Sequence, residues 1–179
     1  MVYATHTSNY TELAISAGLG ATLASGIIVG LASTITVWQS GLGLTDAQVG
    51  LLSGVLSFAI AGGSIAGGRI ADKIGRILFF NWINVLYVVG AALCVFASDF
   101  TMLMAGIIIA GIASGAEVPV AITVLSYDAP DAATSSGLIS TSQVFWQAGM
   151  FVAYSAAFAV SKMSGALGGR VVFAVFEVL

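Results

Sequence analysis

Gly68-Arg69-Ile70-Ala71-Asp72-Lys73-Ile74-Gly75-Arg76 is the stretch whose reading decides the fold. It holds three of the chain's five basic residues. An apolar run of about 20 residues lies on either side, long enough to cross a bilayer as a helix. Arg and Lys are costly in hydrocarbon, so the stretch reads as a loop at the membrane surface. Short loops rich in Lys and Arg stay in the cytoplasm, which sets the sidedness of every other segment.

Composition supports the same class. The 179 residues are 59% hydrophobic and 7% charged, against about 25% charged in a soluble domain. Such a chain cannot coat a globule in water. Membrane strands would alternate apolar and polar residues over about 10 positions, and the runs here do not alternate. The 22 glycines against 2 prolines suit closely packed membrane helices. The net charge of −3 rests on few groups, and nothing points to nucleic acid. Cys94, the single cysteine, lies in an apolar run and reads as a small buried residue. With one His and one Cys there is no metal cluster, and no Gly-Lys pair cradles a phosphate. Neither an enzyme nor a cofactor is expected. Residues 1–10 carry no Lys or Arg, so no cleavable signal peptide is expected either.

Read in order, residues 1–12 form a cytoplasmic tail, and helices are expected at about 13–39, 47–68, 77–97, 101–125 and 137–160. A last apolar run begins near Arg170 and ends at Leu179. At about 1.5 Å per residue it covers roughly 14 Å of a core about 30 Å thick. The expected class is an all-α membrane protein with five complete transmembrane helices and a truncated sixth. Gly26 and Gly30, Gly50 and Gly54, and Gly63 and Gly67 have the four-residue spacing of close helix contacts. Thr45 or Asp46 is placed to cap the second helix. Trp82 suits an interfacial anchor, and Trp38 and Gln39 are read as interfacial too.

Two sets of polar residues lie inside the apolar runs. Glu117 is far from both ends of the fourth helix. Ionised it would be costly there, whereas protonated or paired it is tolerable. It is therefore a candidate for ion coupling or for a structural hydrogen bond. Gln143 and Gln147 are four apart on the fifth helix, with Trp146 beside them. Amides donate and accept, as sugar hydroxyls require, and an indole face suits sugar C–H surfaces. Bonding between helices is the alternative role.

The run from Gly68 to Arg76 resembles the signature between helices 2 and 3 of the major facilitator superfamily, Gly-x-Leu-x-Asp-Arg-x-Gly-Arg-Lys/Arg. Ile77 stands where the last basic residue would be. Gly111-Ile-Ala-Ser-Gly115-Ala116-Glu117-Val118-Pro119 resembles the helix 4 run of sugar-porter-like and organic-acid-porter-like members. Tyr127-Asp-Ala-Pro130 is similar to their Glu-x-Ala-Pro ending, with Tyr127 in place of the Glu. Gln143 to Gly149 resembles the helix 5 spacing of sugar porters, whose glutamine holds sugar hydroxyls. The helix 1 acid of proton-coupled relatives aligns near Ala24. The chain looks most like bacterial sugar or inositol symporters, over about residues 13–179.

The resemblance implies the N-terminal six-helix half of a transporter in the cell membrane. It implies alternating access to a small sugar or polyol, with cation (proton) coupling. Gln143, Gln147 and Trp146 would bind the solute, and Glu117 would couple. Gly68, Asp72, Lys73, Gly75 and Arg76 would form a conformational latch. The partners implied are the solute, the lipid bilayer, and the missing C-terminal half or a second copy of the chain. The alternatives are an organic or aromatic acid symporter and, in another class, a truncated membrane protein or scaffold that transports nothing.

Overall fold

The computed structural model describes residues 7–161 and 166–178, with side chains between 14 and 175 apart from 77, 128 and 162–165. It is all-α among these residues. Six helices follow one another: α1 Thr7–Leu42, α2 Asp46–Ile74, α3 Arg76–Val95, α4 Phe100–Asp128, α5 Ala132–Val160 and α6 Leu167–Val178.

Local chemistry sets most of the boundaries. Helix α1 ends at Gly43, whose φ of 65° suits glycine. There the Leu44 N–H donates to the Gln39 carbonyl at 2.9 Å. Thr45 is the residue that caps α2. Its hydroxyl accepts from the Gln48 N–H while the Gln48 side chain accepts from the Thr45 N–H, a reciprocal capping box. Asp99 caps α4, accepting from the Met102 N–H at 2.9 Å. Asp131 caps α5, accepting from the Thr134 N–H at 2.8 Å. This cap draws residues 132–136 into α5, which starts five residues before the expected position.

The basic stretch is not a loop. Helix α2 runs on to Ile74, and the whole connection to α3 is Gly75, at φ 98°, where an L side chain would be strained. Arg69, Asp72, Lys73 and Arg76 recur at three- and four-residue steps, so helix alone can carry them along a surface. Long basic side chains reach water from a helix end without unwinding it. Lys73 also lies in the last turn of α2, where its charge opposes the negative end of the helix dipole.

Helices α1 to α4 contain spans long and apolar enough to cross a membrane: Ala14–Leu42, Asp46–Ile74, Leu78–Val95 and Phe100–Tyr127. Helix α5 has 29 residues, Gln143 and Gln147 among them. Helix α6, with 12 described residues, reaches about 18 Å, less than a bilayer core.

The helices form a row, α5–α1–α4–α2, with α3 and α6 packed behind it. Two parallel pairs, α1 with α5 and α2 with α4, meet at the level of the backbone. Glycine permits this, because a Cβ on Gly63 would collide with the Ile112 carbonyl and one on Gly115 with the Ile60 carbonyl. On the other pair, a Cβ on Gly149 would collide with Thr22 and Ser25, and one on Gly18 with the Phe145 ring. Close approach of this kind is what holds helices together where lipid removes the hydrophobic drive. Gly50 and Gly54, by contrast, face open space. The pairing has an internal symmetry: α1 relates to α5 as α4 relates to α2, as expected of two inverted three-helix repeats.

Trp38 is not interfacial. It is fully buried, edge-to-face with Phe173 of α6 at 6.3 Å between ring centroids. Gly169 leaves room for its indole. Trp82 is exposed, as its reading requires, and Cys94 is buried.

Candidate functional site

Glu117 sits where α1, α3 and α4 meet, 1% exposed, with neither carboxylate oxygen hydrogen-bonded. Gly20 of α1 faces it so closely that a Cβ there would lie 2.9 Å from Glu117 Oε1. Ser114 is one turn earlier on α4, and the Tyr87 hydroxyl of α3 lies against the Ser114 hydroxyl. Both hydroxyls are buried, and neither is hydrogen-bonded to Glu117.

The helix that carries Glu117 also contains Pro119. Proline lacks the N–H that would bond the carbonyl four residues back, which here is Gly115. The hydroxyl of Ser64 on α2 donates to that carbonyl at 2.8 Å. A neighbouring helix thus satisfies the group that proline frees, as membrane interiors demand. The bond ties α2 to α4 one half-turn from Glu117.

A small cavity lies one turn from Glu117 toward the end of the bundle that carries Gly75. It is lined by Ser16, Ala17, Phe80, Ala121 and Val124 and is about 10 Å³, the room of roughly one water. A sugar needs a pocket of at least about 300 Å³, so it cannot bind there.

The three α5 residues divide between two faces. Trp146 is half-buried against the core, while Gln143 and Gln147 are exposed. The side of α5 that packs on α1 carries Ser142, Gly149 and Ala153. The amides therefore point away from α1.

At the basic end, Arg76 donates to Asp72 Oδ1 from Nη2 at 3.0 Å and from Nε at 3.2 Å. The same guanidinium lies over the Tyr127 ring of α4, 5.4 Å from its centroid. Gly75 makes the turn that lets Asp72 and Arg76 meet across two helices, and Lys73 is exposed beside them. Gly68 has open space around it. Tyr87, Ser114 and the ring contact of Tyr127 were not singled out for these roles in the sequence. Ser114, three residues before a buried acid, is the one with a readable signal.

Residues 2–179 match the profile of the family described as "Sugar (and other) transporter". The chain belongs to this family. The sugar transporter family thus supplies the all-α half of a major facilitator fold that the six helices display, and makes the chain part of a membrane protein. The minor myo-inositol transporter IolF of Bacillus subtilis (strain 168) is 33% identical over 171 residues, 93% of this chain and 38% of that protein. Probable polyol transporter 4 of Arabidopsis thaliana is 32% identical over 76% of the chain and 26% of its own length. The niacin transporter NiaP of Acinetobacter baylyi (strain ATCC 33305 / BD413 / ADP1) is 32% identical over 73% of the chain and 29% of its own. The chain therefore spans about a third of the length of these relatives.

Proposed function

We propose that the full-length protein carries a sugar or polyol, of the inositol kind, across the plasma membrane by alternating access, coupled to a cation, the proton. Family membership and the inositol and polyol relatives support the substrate class. The observation that carries the coupling is Glu117, an acid shut among three helices with both oxygens unpartnered. A proton neutralises it at little cost, and a bare carboxylate there is expensive.

In this reading the basic end faces the cytoplasm, and so does the N-terminus. The solute binds on the open face of the row, where Gln143 and Gln147 present their amides and Trp146 backs them. A second half completes the site, from further chain or from a second copy. Asp72, Lys73 and Arg76, set by Gly68 and Gly75, latch the halves on the inner side. The halves rock about the solute.

Uptake of labelled myo-inositol by the full-length protein in liposomes tests this. Unlabelled polyols should compete, and Gln143→Ala should lower uptake roughly 2- to 10-fold, the worth of one neutral hydrogen bond. Normal uptake by Gln143→Ala would remove that residue from the site. The niacin transporter among the relatives favours one other reading, a carrier of organic acids. Competition by nicotinate in place of polyols would establish it. Uptake of neither solute would favour a protein that transports nothing.

A further inference from the structure

The pair α3 and α4 is antiparallel, joined by the short turn at Ser98 and Asp99, and its register is fixed by two contacts. A Cβ on Gly90 would meet Ala110, and one on Gly106 would meet Cys94. This register sets Tyr87 opposite residues 113–114 and Asn84 opposite residue 116. Helical side chains lean toward their own N-terminus. Tyr87 therefore leans toward the level of Glu117, and Glu117 leans back toward the level of Ser114 and Tyr87. Four buried oxygens lie in this region, both of Glu117, the Ser114 Oγ and the Tyr87 hydroxyl, with the two hydroxyls against each other and neither bonded to the carboxyl. The Asn84 Oδ1, one turn before Tyr87, is a fifth buried oxygen without a partner.

The residue types are informative. A carboxylate accepts only, while a protonated carboxyl also donates. A group that serves both states must be able to donate and accept in turn. Hydroxyls do so by rotating about one bond, whereas a lysine or an indole can only donate. Ser114 and Tyr87 bring two hydroxyls from two helices to one acid. Gly20 closes the third side, and any larger residue there would displace the carboxyl.

We propose that Tyr87 and Ser114 are positioning residues that hold the Glu117 carboxyl through its protonation cycle, both donating to it when ionised and, when it is protonated, one accepting from its O–H while the other donates to its carbonyl oxygen. The proposal rests on the coupling role given to Glu117 above. Other charges stand apart from this group among the described side chains. Helix α1 offers it Gly20, and α2 carries Arg69, Asp72 and Lys73 exposed at the basic end. In α5 no described side chain is charged, and Arg170 of α6 donates to the Ala97 carbonyl at the opposite end.

Infrared difference spectroscopy of the full-length protein in lipid, recorded across a pH titration, tests the proposal without relying on transport. Glu117→Gln identifies the carboxyl C=O band of Glu117 by removing it. Tyr87→Phe and Ser114→Ala should each shift that band to higher frequency, the mark of a lost hydrogen bond, and Ser114→Thr should return it. A band that Glu117→Gln removes but neither Tyr87→Phe nor Ser114→Ala moves would overturn this inference and leave the coupling role standing. Absence of any band sensitive to Glu117→Gln would overturn the coupling role and this inference with it.

Discussion

Ser64 and Pro119 depend on each other. Pro119 leaves the Gly115 carbonyl without its helical donor, and the Ser64 hydroxyl supplies one from α2. Ser64→Ala should destabilise the protein by about 0.6 kcal/mol, the average for hydrogen bonds between membrane helices. With Pro119→Ala the α4 backbone can bond Gly115 itself, so Ser64→Ala should then cost close to nothing. Unfolding free energies of the four variants in mixed detergent measure this cycle, and equal costs in both backgrounds would contradict it. Arg76 offers a second test. Its ion pair with Asp72 is solvent-exposed and worth at most about 1 kcal/mol, and its place over the Tyr127 ring adds roughly 0.5–1 kcal/mol. Tyr127→Phe should keep the ring's contribution and Tyr127→Ala should lose it, again read as unfolding free energy. Some of this was legible in the sequence. Glu117 stood out because an acid in an apolar run is costly unless it is protonated or paired, whether for coupling or for a bond between helices. Tyr87 did not, because a tyrosine among valines and leucines looks like core until the register of α3 against α4 is known. Trp38 was misread for a related reason. Its neighbour Phe173 is far along the chain, and nothing local to residue 38 announces it.

Helix ends and helix contacts make predictions of their own. Asp131 is fully exposed, yet the Thr134 N–H and hydroxyl that donate to its side chain hold its carboxyl below the usual Asp range. A folded-state pKa that is depressed gives stability present above the unfolded value of about 3.9. That stability is lost as pH falls through the lower folded value. Protection of the Thr134 amide hydrogen, its exchange rate relative to the intrinsic rate at each pH, should therefore fall in acid, and Asp131→Asn, which keeps the cap without the charge, should abolish that loss of protection. The contact faces separate two kinds of glycine. Gly63→Ala and Gly115→Ala put a methyl into a carbonyl of the facing helix and should cost at least the roughly 1–3 kcal/mol of overpacking. Gly50→Ala and Gly54→Ala meet open space and should be tolerated. Folded yield and melting temperature in detergent distinguish them. The sequence showed Gly50 and Gly54 at the same spacing as Gly63 and Gly67, so spacing alone could not sort them. It also presented Gly68 to Arg76 as a loop, because charge is what marks a membrane surface. Helical periodicity within the stretch was the better guide to its conformation, and Gly75 alone makes the turn.

At the scale of the molecule, the two parallel pairs place α1 and α4 in the middle, with α3 and α6 behind them. The row of α5, α1, α4 and α2 keeps exposed side chains such as Phe58, Phe151 and Phe158 on its outer helices, where lipid or a second half can cover them. The run lengths made the helix count readable from the sequence. The pairing was not readable, because α1 meets α5 and α2 meets α4 across long stretches of intervening chain. In the function proposed above, protonation of Glu117 drives the solute uphill. The most direct test is solute accumulation by the full-length protein in liposomes under an imposed pH gradient, compared with counterflow exchange in the absence of a gradient. Glu117→Gln should lose accumulation and keep counterflow. Accumulation by Glu117→Gln with the same dependence on the pH gradient as the unmodified protein would contradict the account.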